Sequence, residues 1–235
     1  METPGYPSYA MASFLSRRLP LPFSYWIGMR IADRFYRRDR AGRTGVMANL
    51  TRIHEYQGIS PSRGAIDGLA RKTYQYFGKY LIDFFRYSMA SRENLEKRVS
   101  IEHLDYLTGA IERGRGVLVA TAHVGNWEMG GLMLSRMGFP VTAVVRPYGN
   151  PRLDRMFDEH RRRRGIAVLP LGRAVRGIVG TLRRGGITAV LTDRDFSSHR
   201  DLVTFFGRPA RMPRGLAFPF MSGPNAWTRQ PGPVP

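Results

Sequence analysis

The chain has 235 residues, enough for one full domain with a sizeable core, and no Pro/Gly/Ser-rich linker divides it. It has no cysteine, which excludes a disulfide framework and thiolate chemistry, and its five histidines show no metal-ligand spacing, so neither a metal nor another cofactor is expected. A formal net charge of +19 calls for an anionic partner, whether phosphate-bearing lipid, acidic carrier protein or nucleic acid. Lys72, Lys79 and Lys97 are the only lysines; the remaining cations are arginines, which bind phosphate and carboxylate bidentately, although a GC-rich genome also raises their number.

Residues 1–10, with Pro4, Gly5 and Pro7, are predicted to be a disordered leader, and Met11 is an alternative start. Pro20 to Tyr36 is the most apolar stretch, but no run of about 18 apolar residues exists and no signal-peptide pattern is present. Phe23, Tyr25, Trp26, Ile27, Met29 and Ile31, flanked by Arg17-Arg18 and Arg37-Arg38, suit either a segment lying in a membrane interface or a core helix. Pro20 and Pro22 interrupt it, so peripheral attachment is as plausible as insertion. Val46, Leu50 and Ile53 mark a helix over Thr44–Tyr56, and Ser60-Pro61 opens another with Leu69, Tyr76, Tyr80, Phe84 and Tyr87 on related faces. Residues 11–90 therefore read as a helical, membrane-proximal region packed beside the core.

From residue 102 helices and strands alternate. Helix Glu102–Arg113 leads to strand 117–122, helix 126–137 to strand Val141–Val145, helix Pro151–Arg163 to strand Ile166–Pro170, and helix Arg173–Arg184 to strand Ile187–Thr192. Such alternation predicts an α/β layered domain over 91–220 with a central, largely parallel sheet flanked by helices. In sheets of that kind ligands gather outside the carboxyl ends of the strands, where His123, Arg146 and Asp193 all fall.

The most informative segment is His123-Val124-Gly125-Asn126-Trp127-Glu128, which places an imidazole and a carboxylate five positions apart after an apolar strand. A five-residue step on a continuous helix rotates about 140 degrees, so the two side chains meet only if the backbone breaks between them. Gly125 and Asn126 supply that break: Asn126 is a good N-cap, and Glu128 falls in the first helical turn. A carboxylate bonded to one ring nitrogen fixes the tautomer and leaves the other free to take a proton from a hydroxyl. Taken alone, the same two residues fit an ordinary strand-end histidine and first-turn acid.

Downstream lie Arg146-Pro147, Asn150 and Asp154, then the run Arg161-Arg162-Arg163-Arg164, which is either a solvated helix end or a source of one or two site cations. Asp193-Arg194-Asp195 follows the fourth strand. In Phe205–Gly215, Pro213 is expected at a helix start, where Arg208, Arg211 and Arg214 around it fit a phosphate or carboxylate.

With these segments in order, from about Arg43 to about Phe220, the chain resembles the lipid A biosynthesis acyltransferases of the lysophospholipid acyltransferase superfamily. The matching stretches are Gly116–Glu128, Val144–Pro147 with Asn150-Pro151 and Asp154, Leu191–Asp195 and Phe205–Gly215. The resemblance implies transfer of a fatty acyl group from an acyl carrier protein or coenzyme A thioester to a hydroxyl of a lipid A precursor, at the cytoplasmic face of the bacterial inner membrane. It implies His123 as the base and Glu128 as its acidic partner, with Arg161 or Arg164 stabilising the oxyanion. Asn126, Arg146, Asn150, Asp193, Asp195, Arg208 and Arg214 are the corresponding substrate-binding or site-shaping candidates.

Two features depart from the family pattern. The amino-terminal anchor is less clear, and residues 221–235 form an atypical, proline-rich tail in place of further strands and helices, as expected for a truncated or frameshifted gene. Within the enzyme class, a glycerophospholipid or phosphatidylinositol mannoside is the alternative acceptor. From another class, the charge fits a nucleic-acid-binding protein or an inactive membrane-binding protein; no zinc-finger spacing, aromatic RNA-binding motif or helix-turn-helix supports nucleic acid, which is not expected as a partner.

Overall fold

A computed structural model describes residues 5–87, 93, 95, 97, 99–194 and 200–213. Helix α1 spans Tyr6–Arg18, so residues expected in the leader already belong to a helix, with Pro7 in the first turn where its missing N–H is no loss. Helix α2 spans Leu21–Arg38, and Pro20 and Pro22 sit at its N-cap and first turn, starting the helix instead of interrupting it. Helix α3, Arg40–Tyr56, is capped by Asp39, whose carboxylate accepts the Gly42 N–H at 3.0 Å. Helix α4, Arg63–Arg86, is capped by Ser62 in the same manner.

Helices α2 and α4 pack through small residues. Gly28 faces Gly78 so closely that a Cβ on Gly78 would lie 2.7 Å from the Gly28 carbonyl oxygen. Polar contacts hold the pair along its length. Arg71 donates to both oxygens of Asp33, at 2.8 and 2.9 Å, and Gln75 adds a third bond at 2.8 Å. The Arg71 hydrogen bond outweighs burial and, with Gln75, holds the Asp33 carboxyl down to about 2. Tyr36 and Tyr25 donate to Asp67 and Asp83, each at 2.5 Å. With Ser24, Gly28, Ala32, Asp33 and Tyr36 turned inward, Phe23, Trp26 and Ile31 of α2 are left exposed.

The α/β layer begins with α5, Leu104–Glu112, and continues through β1 (Val117–Thr121), α6 (Trp127–Arg136), β2 (Val141–Val145), α7 (Pro151–Arg162), β3 (Ala167–Pro170), α8 (Ala174–Arg183) and β4 (Ile187–Leu191). Each lies within two residues of its sequence-based position. The four strands form a parallel sheet in the order β1-β4-β2-β3, with Val117 to Thr121 opposite Ile187 to Leu191. Val144 and Val190 of the sheet pack on Ala174 and Ile178 of α8. A second cluster joins Phe84 and Phe85, at the end of α4, to Leu153 and Phe157 of α7, with Tyr9 and Ala12 of α1 against it. The helical region and the sheet layer thus share a core.

Strands β5 (Arg200–Phe205) and β6 (Arg208–Pro213) form a separate antiparallel hairpin. Phe206 and Gly207 both have positive φ, 48 and 67 degrees, as a two-residue turn matched to strand twist requires. Phe206 packs edge-on against Tyr56, and Arg208 bonds Glu55 at 3.2 Å, which docks the turn on the end of α3. Pro213, expected at a helix start, is therefore paired in a strand opposite Arg200. The alternation Arg208, Ala210, Met212 opposite Phe205, Val203, Asp201 satisfies the ladder, and the missing Pro N–H groups are tolerated in an edge strand.

Candidate active site

The sheet register brings His123 and Asp193 together. Thr121 and Leu191 are opposed at the ends of β1 and β4, and each site residue stands two positions beyond its strand. One further ladder step, Thr192 N–H to Thr121 O at 2.8 Å, holds the two exits side by side. The Asp193 carboxylate then accepts the His123 backbone N–H at 3.0 Å and the ring Nδ1 at 2.8 Å. Burial raises the Asp193 carboxyl, but the side-chain and backbone hydrogen bonds from His123 outweigh it, leaving a net shift below the ordinary value. An ionised carboxylate only accepts, so Nδ1 carries the hydrogen and Nε2 of the neutral ring is the acceptor. About a third of the His123 side chain is exposed, so the ring is open to a substrate.

Beyond His123 the backbone turns through Gly125, at φ 58 degrees, into α6. Asn126 caps that helix: its side-chain oxygen accepts the Met129 N–H at 3.1 Å, and its amide donates to the Tyr87 hydroxyl. Asn126 is thus the scaffold of the turn. Trp127 stands beside the His123 ring, with centroids 4.8 Å apart.

Glu128 departs from the sequence-based expectation. Its carboxylate is buried and receives the Arg161 guanidinium, with Nη2 at 2.6 Å and Nε at 3.0 Å from Oε1. The capped start of α6 directs this side chain toward the end of α7, where a buried carboxylate finds the cation it needs. The acid on the His123 ring is therefore Asp193, and the expected His123–Glu128 bond is replaced by two separate pairs. Burial disfavours the Arg161 charge, but the Glu128 charge and hydrogen bonds more than restore it.

Arg161 is accordingly engaged rather than poised alone. Its Nη1 lies 3.7 Å from Asp158, and it reaches a cleft of about 110 Å³ lined also by Arg146, Tyr148, Asp154 and Asp158. Arg164 is buried in the core: it donates to the Phe84 carbonyl and lies over the Phe84 ring at 4.9 Å. Burial lowers its pKa to about 10, and its Nε and Nη1 have no hydrogen-bond partner among the described residues. Asn150 caps α7 through Arg152 N–H and Leu153 N–H, and Asp154 accepts the Tyr148 N–H at 2.7 Å. Arg146 follows β2 at the cleft, whereas Arg208 is held by Glu55 on the hairpin. Asp195 and Arg214 lie outside the described residues.

The layout therefore gathers His123, Asp193, Trp127, Glu128, Arg161 and Arg146 around the carboxyl ends of β1, β4 and β2. The pairing of His123 with Asp193 was missed from the sequence. Its only signal was that both residues stand two positions past a strand, which becomes informative once β1 and β4 are known to be neighbours.

The α/β layer thus carries a histidine held by an acid across two adjacent strand ends. Residues 5–220 match the family model described as bacterial lipid A biosynthesis acyltransferase, and the chain belongs to that family. It is 28% identical over 213 residues to a phosphatidylinositol mannoside acyltransferase of Mycolicibacterium smegmatis, covering 89% of this chain and 68% of that protein. The protein of that name from Mycobacterium tuberculosis strain H37Rv is 28% identical over 216 residues, 89% of this chain and 66% of its own length. A lipid A biosynthesis acyltransferase of Haemophilus influenzae is 23% identical over 152 residues, 60% of this chain and 48% of its own. The chain thus spans about two thirds of the length of the mannoside acyltransferases it matches.

Proposed function

We propose that this chain transfers a fatty acyl group from an acyl-carrier-protein or coenzyme A thioester to a hydroxyl of a phosphorylated glycolipid, with His123 as the base. The observation that carries this reading is the double hydrogen bond from His123 to Asp193, which engages Nδ1 and leaves Nε2 without a hydrogen-bond partner among the described residues, at the carboxyl ends of the strands. Nε2 removes the proton as the acceptor oxygen attacks the thioester carbonyl, and Asp193 stabilises the imidazolium formed. The tetrahedral intermediate collapses with cleavage of the carbon–sulfur bond, and the imidazolium returns the proton to the departing thiolate. No covalent acyl-enzyme is needed. The Glu128–Arg161 pair holds the start of α6, and thereby the loop carrying His123, to the end of α7.

Two acceptors fit this chemistry. Matching along 89% of the chain to phosphatidylinositol mannoside acyltransferases favours a mannosylated phosphatidylinositol. The family model, together with the Haemophilus influenzae relative, supports a lipid A precursor as the second reading. Purified protein given palmitoyl-CoA or palmitoyl-carrier protein with each acceptor in vesicles is expected to acylate one of them, and H123A to acylate neither. Equal turnover by H123A and the parent would refute the base assignment.

The helical region supports a reading of attachment at a membrane surface. Met11 and Phe14 of α1 and Phe23, Trp26 and Ile31 of α2 are exposed, with Phe23 stacked on Trp26, and Arg17, Arg18, Arg37 and Arg38 lie at the helix ends. Among the described residues no helix is long and apolar enough to cross a membrane. The reading is peripheral binding to an anionic bilayer, at the cytoplasmic face of a bacterial inner membrane.

A further inference from the structure

The two hydrogen bonds to Asp193 fix His123 at its backbone and at one ring nitrogen, but a ring held at one nitrogen still rocks about that bond. Because the side chain is about a third exposed on a loop, some other contact must limit the motion. Trp127 supplies one. Its ring meets the His123 imidazole edge to face, at 4.8 Å and 73 degrees, an arrangement worth about 1 kcal/mol for aromatic pairs.

Trp127 is itself well placed to resist displacement. It is the first residue of α6, directly after the Asn126 cap, so its backbone is set by the helix start. The Tyr80 ring of α4 lies against it at 4.5 Å and 31 degrees, and Tyr80 stacks in turn on Phe77 at 5.6 Å. Burial raises the Tyr80 hydroxyl pKa, with the Glu128 charge adding to it, so the ring stays a neutral apolar backstop.

We propose that Trp127 is a positioning residue for acyl transfer, holding the His123 ring so that Nε2 faces the acceptor hydroxyl, with Tyr80 backing it from α4. The inference rests on His123 being the base. A base tilted by about 1 Å loses on the order of a hundredfold in rate, so Trp127 acts on turnover rather than on substrate affinity.

The test uses the full chain with palmitoyl-CoA and mannosylated phosphatidylinositol or lipid A precursor vesicles, and compares W127L, W127F, Y80L and H123A with the parent. W127L is expected to lower kcat about 30-fold with both KM values within about twofold, and W127F to recover to within about fivefold. Should W127L fail to fold, Y80L is expected to lower kcat about tenfold with unchanged KM, since it releases Trp127 from behind. Independently of activity, ¹³C relaxation of the labelled His123 ring, assigned by its loss in H123A, is expected to show larger ring motion in W127L and Y80L. Unchanged ring motion, or a loss confined to KM, overturns the positioning role. An inactive H123A beside a fully active W127L removes the Trp127 inference alone, whereas a fully active H123A removes the base reading with it.

Discussion

Asp193 binds His123 twice, through the backbone N–H at 3.0 Å and through ring Nδ1 at 2.8 Å. The carboxylate therefore fixes both the position of the loop and the tautomer of the ring, and these are separable by substitution. D193N keeps a hydrogen-bonding group for the backbone but offers the ring an amide that can present N–H in place of oxygen. It is expected to reduce kcat by about a thousandfold while thermal unfolding changes little. Initial rates and calorimetry on the same preparation check this; a kcat within tenfold of the parent would mean that Asp193 does not orient the base.

Glu128 and Arg161 should behave in the opposite manner. Both side chains are more than nine-tenths buried, so removing one partner leaves an uncompensated charge. E128Q is expected to cost about 3 kcal/mol of stability, and E128Q/R161M markedly less than the sum of the two single variants. Urea unfolding of the four proteins gives the coupling; additive losses would contradict a compensating pair.

His160 gives a pH dependence of stability unrelated to catalysis. It is buried against Phe84 and Phe85, and burial, followed by the charges of Arg164 and Arg17, lowers its pKa from 6.5 to about 4. The unfolded chain therefore takes up a proton that the folded chain refuses. Stability is full above about pH 6.5 and is expected to fall as pH drops toward 4, levelling below that. H160Q should flatten this slope; midpoints of urea unfolding at pH 7, 5.5 and 4.5 that run parallel for both proteins would exclude His160 as the source.

The exposed residues of α2 predict how the chain meets lipid. F23A/W26A is expected to weaken sedimentation with phosphatidylglycerol vesicles about tenfold at fixed salt, without lowering thermal stability, because both side chains lie outside the core. Raising the salt should weaken the parent further through its arginines. Equal sedimentation of parent and variant would show that this face stays out of the bilayer.

The order of elements in the sheet layer was legible in the sequence because helical and strand periodicities alternate with Gly punctuation, and Val141–Val145 was placed to the residue. Asn126 as a cap was legible for the same reason: capping is a local matter. What escaped was non-local. Nothing in the segment around His123 distinguishes Glu128, five positions away, from Asp193, seventy away, as the acid that reaches the ring. That choice depends on β4 lying beside β1. The direction of α2 was hidden for a related reason: its small residues, with Tyr25 and Tyr36, face α4, while Phe23 and Trp26 do not, because two glycines allow the backbones to touch. The Pro213 expectation failed where a proline compatible with a helix start met a strand partner across a two-residue turn.

The strand order β1-β4-β2-β3 has a consequence for how the site comes into being. The strand leading to His123 is made early in the chain, yet its neighbour is the last of the four, so β1 waits for β4 to enter between it and β2. A nascent chain that has emerged only through β3 holds a histidine without its acid. A slip of one residue between β1 and β4 would turn the Asp193 side chain to the opposite face and undo the contact while leaving the sheet itself paired. The bond between these two side chains is thus the point at which a correct and a slightly wrong assembly of the sheet become chemically different.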